Sequence, residues 1–336
     1  MDLTAPALKV RRPVVLSVIA GLSVAALVWA IVITRPAPEP AINTTSPGIL
    51  YTTPFARFVT NGAAITATGA VLFLLLLGAA GRQKYDAVAA RARVIAIAVG
   101  IAWVTATTTT WWLQAAAISG SGPKMPFAGM ASYAVEVTSG TALALTVVAA
   151  TAYTVLVLRR TSSYWPMACA LVGLVAVPAT GHASQTNAAW LTTPAICLHM
   201  CAVSLWVGGL ALVTVLVARN RSALSLVLPR FSTVAGGAIA TVAVTGVLLA
   251  GPRLTKDITP HPSVLLHALL ETPAGWLVIG KLVGLGILAA TGGFIRQFLL
   301  PAVRRQETVA LATLATVELT VMAVTIAIAT ALARPL

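Results

Sequence analysis

Nine stretches of roughly twenty apolar residues recur along this 336-residue chain, at about 13–34, 57–80, 93–117, 133–158, 164–181, 190–218, 231–250, 272–298 and 309–333. A helix of that length matches the hydrocarbon core of a bilayer, about 30 Å. The runs are continuous rather than alternating, which excludes a closed membrane barrel. Charged residues make up only 9% of the chain, against about 25% in soluble domains, so no water-facing surface can be assembled from it. The expected fold is an all-α polytopic membrane protein of about nine transmembrane helices. Three parts follow in order: an N-terminal anchor helix and loop over 1–56, an N-terminal helical part over 57–160, and a helical bundle over 161–336.

Basic residues sort by side. Fifteen of the 22 fall on one face of the predicted topology: Lys9, Arg11, Arg12, Arg82, Lys84, Arg91, Arg93, Arg159, Arg160, Arg219, Arg221, Arg230, Arg296, Arg304 and Arg305. Six fall on the other, namely Arg35, Arg57, Lys124, Arg253, Lys256 and Arg334, and Lys281 lies within a span. By the positive-inside rule the N-terminus is cytoplasmic and the C-terminus extracytoplasmic. The net charge of +14 reflects those loops. No basic soluble domain exists to bind nucleic acid. The first apolar run follows Lys9, Arg11 and Arg12 like a signal peptide, but it is longer than a signal core and reads as a retained anchor.

All four histidines fall on or near the outer side of this topology. His182 sits at the mouth between the fifth and sixth spans. His199 lies deeper, within the sixth. His261 and His267 occupy the loop before the eighth, where 264–271 suits a short interfacial helix. Met125 and Met130 flank Pro126 in an outer loop. Imidazole, thiolate and thioether are the ligands of copper and zinc, and the sulfur ligands favour Cu(I). The string Cys197-Leu-His199-Met200-Cys201 is not one chelating cluster. At 100° per residue, Cys197, Met200 and Cys201 share a face and His199 points to another, with Val203 and Trp206. The sulfur face fits either a Cu(I) site or core packing. A histidine inside a span is a functional candidate by default.

Lys281 and Glu318 fall near the midplane of the last two spans, where an unpaired charge is costly. They are expected to form an intramembrane polar pair, either fixing helix register or gating a cation. No phosphate loop, nucleophile elbow, paired catalytic carboxylates or haem attachment motif occurs, so the expectation is a protein that is not an enzyme.

Gly181-His182-Ala183, Leu198-His199, Leu205-Trp206-Val207-Gly208-Gly209-Leu210, Arg230-Phe231-Ser232, Thr245-Gly246, Thr272-Pro273-Ala274-Gly275-Trp276, Lys281-Leu282 and Glu318 resemble, in order and spacing, the copper resistance D (CopD) family of bacterial membrane proteins. The resemblance runs through about 164–336, while 1–160 is similar in hydropathy alone. It implies copper handling at the cytoplasmic membrane, with His182 and His199 as metal-associated residues and Lys281 and Glu318 as family-like polar positions. Copper, as Cu(I), would be collected by His182 with Met125, Met130, His261 or His267, then passed to His199 and the Cys197/Met200/Cys201 face. The bilayer aside, implied partners are a periplasmic copper carrier or a cytochrome oxidase complex. Two other readings stand beside this one: an accessory or assembly subunit of a respiratory oxidase without a permeation path, and a membrane cytochrome with a single haem.

Overall fold

The computed structural model describes residues 12–33, 47–120, 124–180, 188–217, 220–255 and 261–272, with short pieces at 275–276, 278–280, 282–284, 286, 319–324 and 326. Among them the chain is helical: α1 (Arg12–Ile33), α2 (Pro47–Lys84), α3 (Asp86–Ser119), α4 (Phe127–Glu136), α5 (Thr138–Leu158), α6 (Tyr164–Ala179), α7 (Ala189–Val203), a π turn (Ser204–Gly208), α8 (Gly209–Val217), α9 (Arg221–Thr255) and α10 (Pro262–Glu271). Among the described residues, five helical stretches are long and apolar enough to cross a membrane: Thr52–Lys84, Asp86–Ser119, Thr138–Leu158, Ala189–Val217 and Arg221–Pro252. The runs predicted at 13–34 and 164–181 coincide with α1 and α6. Those at 272–298 and 309–333 lie largely outside the described residues.

Threonine is abundant in these helices although a hydroxyl is costly in lipid. The reason is local. Thr66, Thr68, Thr105, Thr108, Thr109, Thr110, Thr146, Thr151, Thr154 and Thr241 each donate to the carbonyl four residues earlier, at 2.7–3.1 Å. Each hydroxyl is thereby satisfied within its own helix, as a spanning segment requires.

Helix α2 is the axis of the core. It packs against α3, α6, the π turn, α8 and α9, and its run Ala63–Leu77 supplies much of the central buried cluster with Trp103, Tyr153, Trp206 and Phe231. Its closest approach is to the π turn. A Cβ on Gly69 would strike the backbone of Gly208, and one on Gly208 would strike the carbonyl of Ile65. Only glycine at both positions lets the two backbones touch.

The helix also breaks once, at Gly78 (φ 67°, ψ 177°), a conformation open essentially to glycine alone. The break frees carbonyls of the preceding turn, and two guanidiniums take them. Arg230 Nη1 donates to Leu76 O at 2.6 Å, and Arg82 Nη1 donates to Leu74 O at 3.1 Å. Sequence reading counts both arginines as topology signals, and Arg230 also as part of a family-like string; here they also cap a kinked helix. Gly78→Ala is therefore expected to destabilise the bundle by about 1–3 kcal/mol. Gly62→Ala, with open space around its would-be Cβ, should be neutral or slightly stabilising. Thermal unfolding of the two variants in detergent checks the contrast.

One predicted span needs correction. The run 133–158 is not a single helix but breaks at Val137 (φ −121°, ψ 122°) between α4 and α5. The Thr141 hydroxyl donates across the break to Ala134 O at 2.6 Å, and Gly140 lies directly against the Tyr133 carbonyl, where a Cβ would collide. Glu136, Thr138, Ser139 and Gly140 mark this corner in the sequence, but the average over the whole apolar run conceals so short a polar interruption.

Candidate metal site

The sixth predicted span is built from α7, the π turn and α8. Helix α7 lies between α6 and α9, and its two chemically distinct faces separate accordingly. On one, Cys197 Sγ approaches the Val175 carbonyl of α6 at 3.9 Å. Cys201 follows one turn later on that face. Cys197, Met200 and Cys201 are all half-buried, and neither cysteine is in a disulfide. On the other face, His199 Nδ1 lies 2.9 Å from Thr245 Oγ1 of α9, and a Cβ added at Gly246 would come into van der Waals range of the ring's Cε1.

The hydroxyl of Thr245 decides the histidine tautomer. It has one proton and spends it on Thr241 O, 2.6 Å away in its own helix. Toward His199 it can therefore only accept, so Nδ1 carries the hydrogen and the ring lone pair is at Nε2. A metal-binding imidazole is oriented in this way, with its second nitrogen donating to a fixed acceptor. Sequence reading quotes Thr245 only as part of a family-like pair. Nothing in a spacing of 46 residues announces the contact.

Shortly after this turn of ligand-type residues, at Ser204, the helix widens into the π turn. Ser204 Oγ donates to Met200 O at 2.8 Å, and Trp206 and Gly208 are buried against α2. One-turn π segments inside α-helices concentrate at functional sites because they re-aim side chains without ending the helix.

The remaining candidates are dispersed. Met130 lies within α4, not in a loop, and is buried with Ala115, Tyr133 and Leu143. Met125 packs on the same cluster, and its sulfur accepts from Ser119 Oγ at 3.3 Å. His261 is exposed just before α10, with Nδ1 2.8 Å from Ser263 Oγ. His267 is exposed on α10 and pairs with Glu271 at 2.9 Å. The expected short helix before the eighth span is thus present as α10. His182, Lys281 and Glu318 lie outside the described residues. Among the described residues, no group of three or more His, Cys, Asp or Glu side chains is assembled to hold a metal ion.

Two family models match the chain. The model for the copper resistance protein D-like N-terminal domain covers residues 44–193, and that for copper resistance protein D covers 225–332. The likeness therefore extends into the first half, where sequence reading finds only similar hydropathy. No curated protein and no solved structure matches the chain significantly. The first model takes in α2 to α6 and the start of α7, and the second holds Thr245, the partner of His199. The chain belongs to the copper resistance protein D family.

Proposed function

We propose that this protein moves or hands over copper, as Cu(I), at the cytoplasmic membrane through α7, without catalysing a reaction. The observation that carries the reading is the His199–Thr245 bond. It fixes the tautomer and orientation of an imidazole inside an apolar bundle, half a turn from a thiol–thioether face. Two different half-sites on one helix suit transfer better than storage. Imidazole accepts copper in either oxidation state, and the sulfur face favours Cu(I). Family membership supports copper as the cargo. His182 would collect the ion, with His261, His267, Met125 or Met130 assisting, and Lys281 and Glu318 would lie on the onward route. A periplasmic copper carrier would supply the ion, or an oxidase complex would receive it.

The test is metal analysis of detergent-purified protein loaded with Cu(I) and washed against a competing chelator. Wild type should retain copper, and His199→Ala and the double variant Cys197→Ser/Cys201→Ser should each retain less. Equal retention in all three removes the site. Transport and oxidase assembly separate in a deletion strain. Lost oxidase copper with unchanged cellular copper favours assembly, and a changed cellular content favours transport.

A further inference from the structure

The N-terminal half contains a second polar constellation, which copper handling does not use. Trp103, Thr107, Thr110 and Gln114 follow one another on α3 at intervals of four, three and four residues. That spacing lays them along one helix face. All four are buried. Opposite runs α2 in antiparallel register. Thr60 meets Thr110 at 3.1 Å, and Tyr153 of α5 donates to Ala67 O at 2.9 Å while its ring packs edge-on against Trp103 at 6.1 Å. Between those levels α2 presents only small residues, Ala63, Ala64 and Ala67.

At one end of this seam stands Arg57. Its Nε and Nη2 both lie 3.2 Å from the Gln114 carbonyl oxygen when that amide faces the guanidinium. The Gln114 amide nitrogen then faces the Tyr133 hydroxyl, whose oxygen lies 3.3 Å from the amide and 2.6 Å from Ser139 Oγ. Among the described residues no carboxylate comes within ion-pair distance of Arg57. An arginine within a helical bundle in lipid ordinarily pairs with an acid or faces a polar cavity.

Unsatisfied donors supply an independent observation. Among the described residues, three buried side-chain polar atoms have no hydrogen-bond partner, and all three are on α3: Trp103 Nε1, Thr107 Oγ1 and Trp111 Nε1. Such orphans are rare in native interiors. Thr107 stands apart from its neighbours. Thr105, Thr108, Thr109 and Thr110 all turn their hydroxyls back onto their own helix; Thr107 does not. An indole N–H can only donate, as can a guanidinium. What completes this set is an acceptor, and the uncompensated charge of Arg57 selects a negative one.

We propose that the seam between α2, α3 and α5 is a binding site for a small inorganic anion of the halide class. The anion lies below Arg57 at the level of Thr107 and Trp111. The site is unsuited to a copper cation. Arg57 repels it, and two of the three orphaned groups, the indole N–H groups of Trp103 and Trp111, can only donate.

Iodide serves as both ligand and quencher of the lining indoles. Full-length protein in detergent is titrated with iodide at constant ionic strength while tryptophan fluorescence is followed. The expected result is a saturable quenching component that chloride competes away and caesium does not produce. Arg57→Gln should weaken it at least tenfold, and Trp111→Phe should diminish its amplitude. Purely linear quenching overturns the proposal, as does saturable quenching unchanged in Arg57→Gln. Should Arg57→Gln fail to fold, the conservative Trp111→Phe decides: an undiminished saturable component sinks the site.

Discussion

Gly208→Leu is expected to abolish assembly of the native bundle. The backbone of the π turn rests directly on α2, and a Cβ at residue 208 would meet the Ile65 carbonyl and lie 3.0–3.1 Å from Gly69 N and Cα. Both obstacles are main chain, so no rotamer change relieves them. Overpacking of a close-packed interior costs about 1–3 kcal/mol when side chains can yield; here whole helices must part. Separation would strip packing from Leu72, Trp206 and Phe231, which share one buried cluster. Gly69→Leu should behave alike, because its Cβ would meet Gly208 itself. Gly236→Ala and Gly237→Ala, with no atom near the new methyl, should leave the protein intact. Size-exclusion profiles of detergent extracts separate the two classes. A monodisperse Gly208→Leu peak with wild-type thermal stability would show that α2 and the π turn do not touch as described.

That crossing also shows what the sequence does and does not disclose. Gly208 and Gly209 are readable as permission for close helix approach, yet the sequence does not say which partner uses it. Residue 208 meets residue 69, 139 positions away, through a contact that leaves no periodic trace. The helices themselves were legible because lipid demands long apolar runs with satisfied backbones. Hydropathy lost resolution wherever a helix changed direction without a sustained change in polarity. The kink at Gly78 and the π turn at Ser204–Gly208 lie inside predominantly apolar sequence, and at the Val137 corner the short polar interruption of Glu136, Thr138 and Ser139 is averaged out over the run.

Side-chain geometry was legible over one helix and no further. The angular separation of His199 from Cys197 follows from residue spacing, and the structure turns one toward α9 and the other toward α6. Arg57 reads in sequence as one more charge at a span end. Its contact with Gln114 depends on the register of α2 against α3, which composition cannot supply. Met130 looked like a loop thioether because the short helix around it, α4, is too brief to stand out beside a full span.

Thr245→Val is expected to lower copper affinity about 10–100-fold, the usual cost of removing a group that orients a ligating histidine. Valine preserves the volume and branching of threonine but removes the oxygen that accepts from Nδ1. The imidazole is then free to rotate or to place its hydrogen on Nε2, where it would block the donor atom. Thr245→Ser keeps the oxygen and should stay close to wild type, since its hydroxyl can still reach the Thr241 carbonyl. A fault of helix packing predicts the reverse order, because serine loses the methyl that valine retains. Affinity and thermal stability measured on the same preparations therefore separate the two causes. Valine should bind copper poorly in a stable fold, and serine should bind well even if it unfolds slightly earlier. Equal copper affinity in all three proteins would mean that the His199 ring does not hold the metal through Nε2, and the transfer site on α7 would lose its imidazole half.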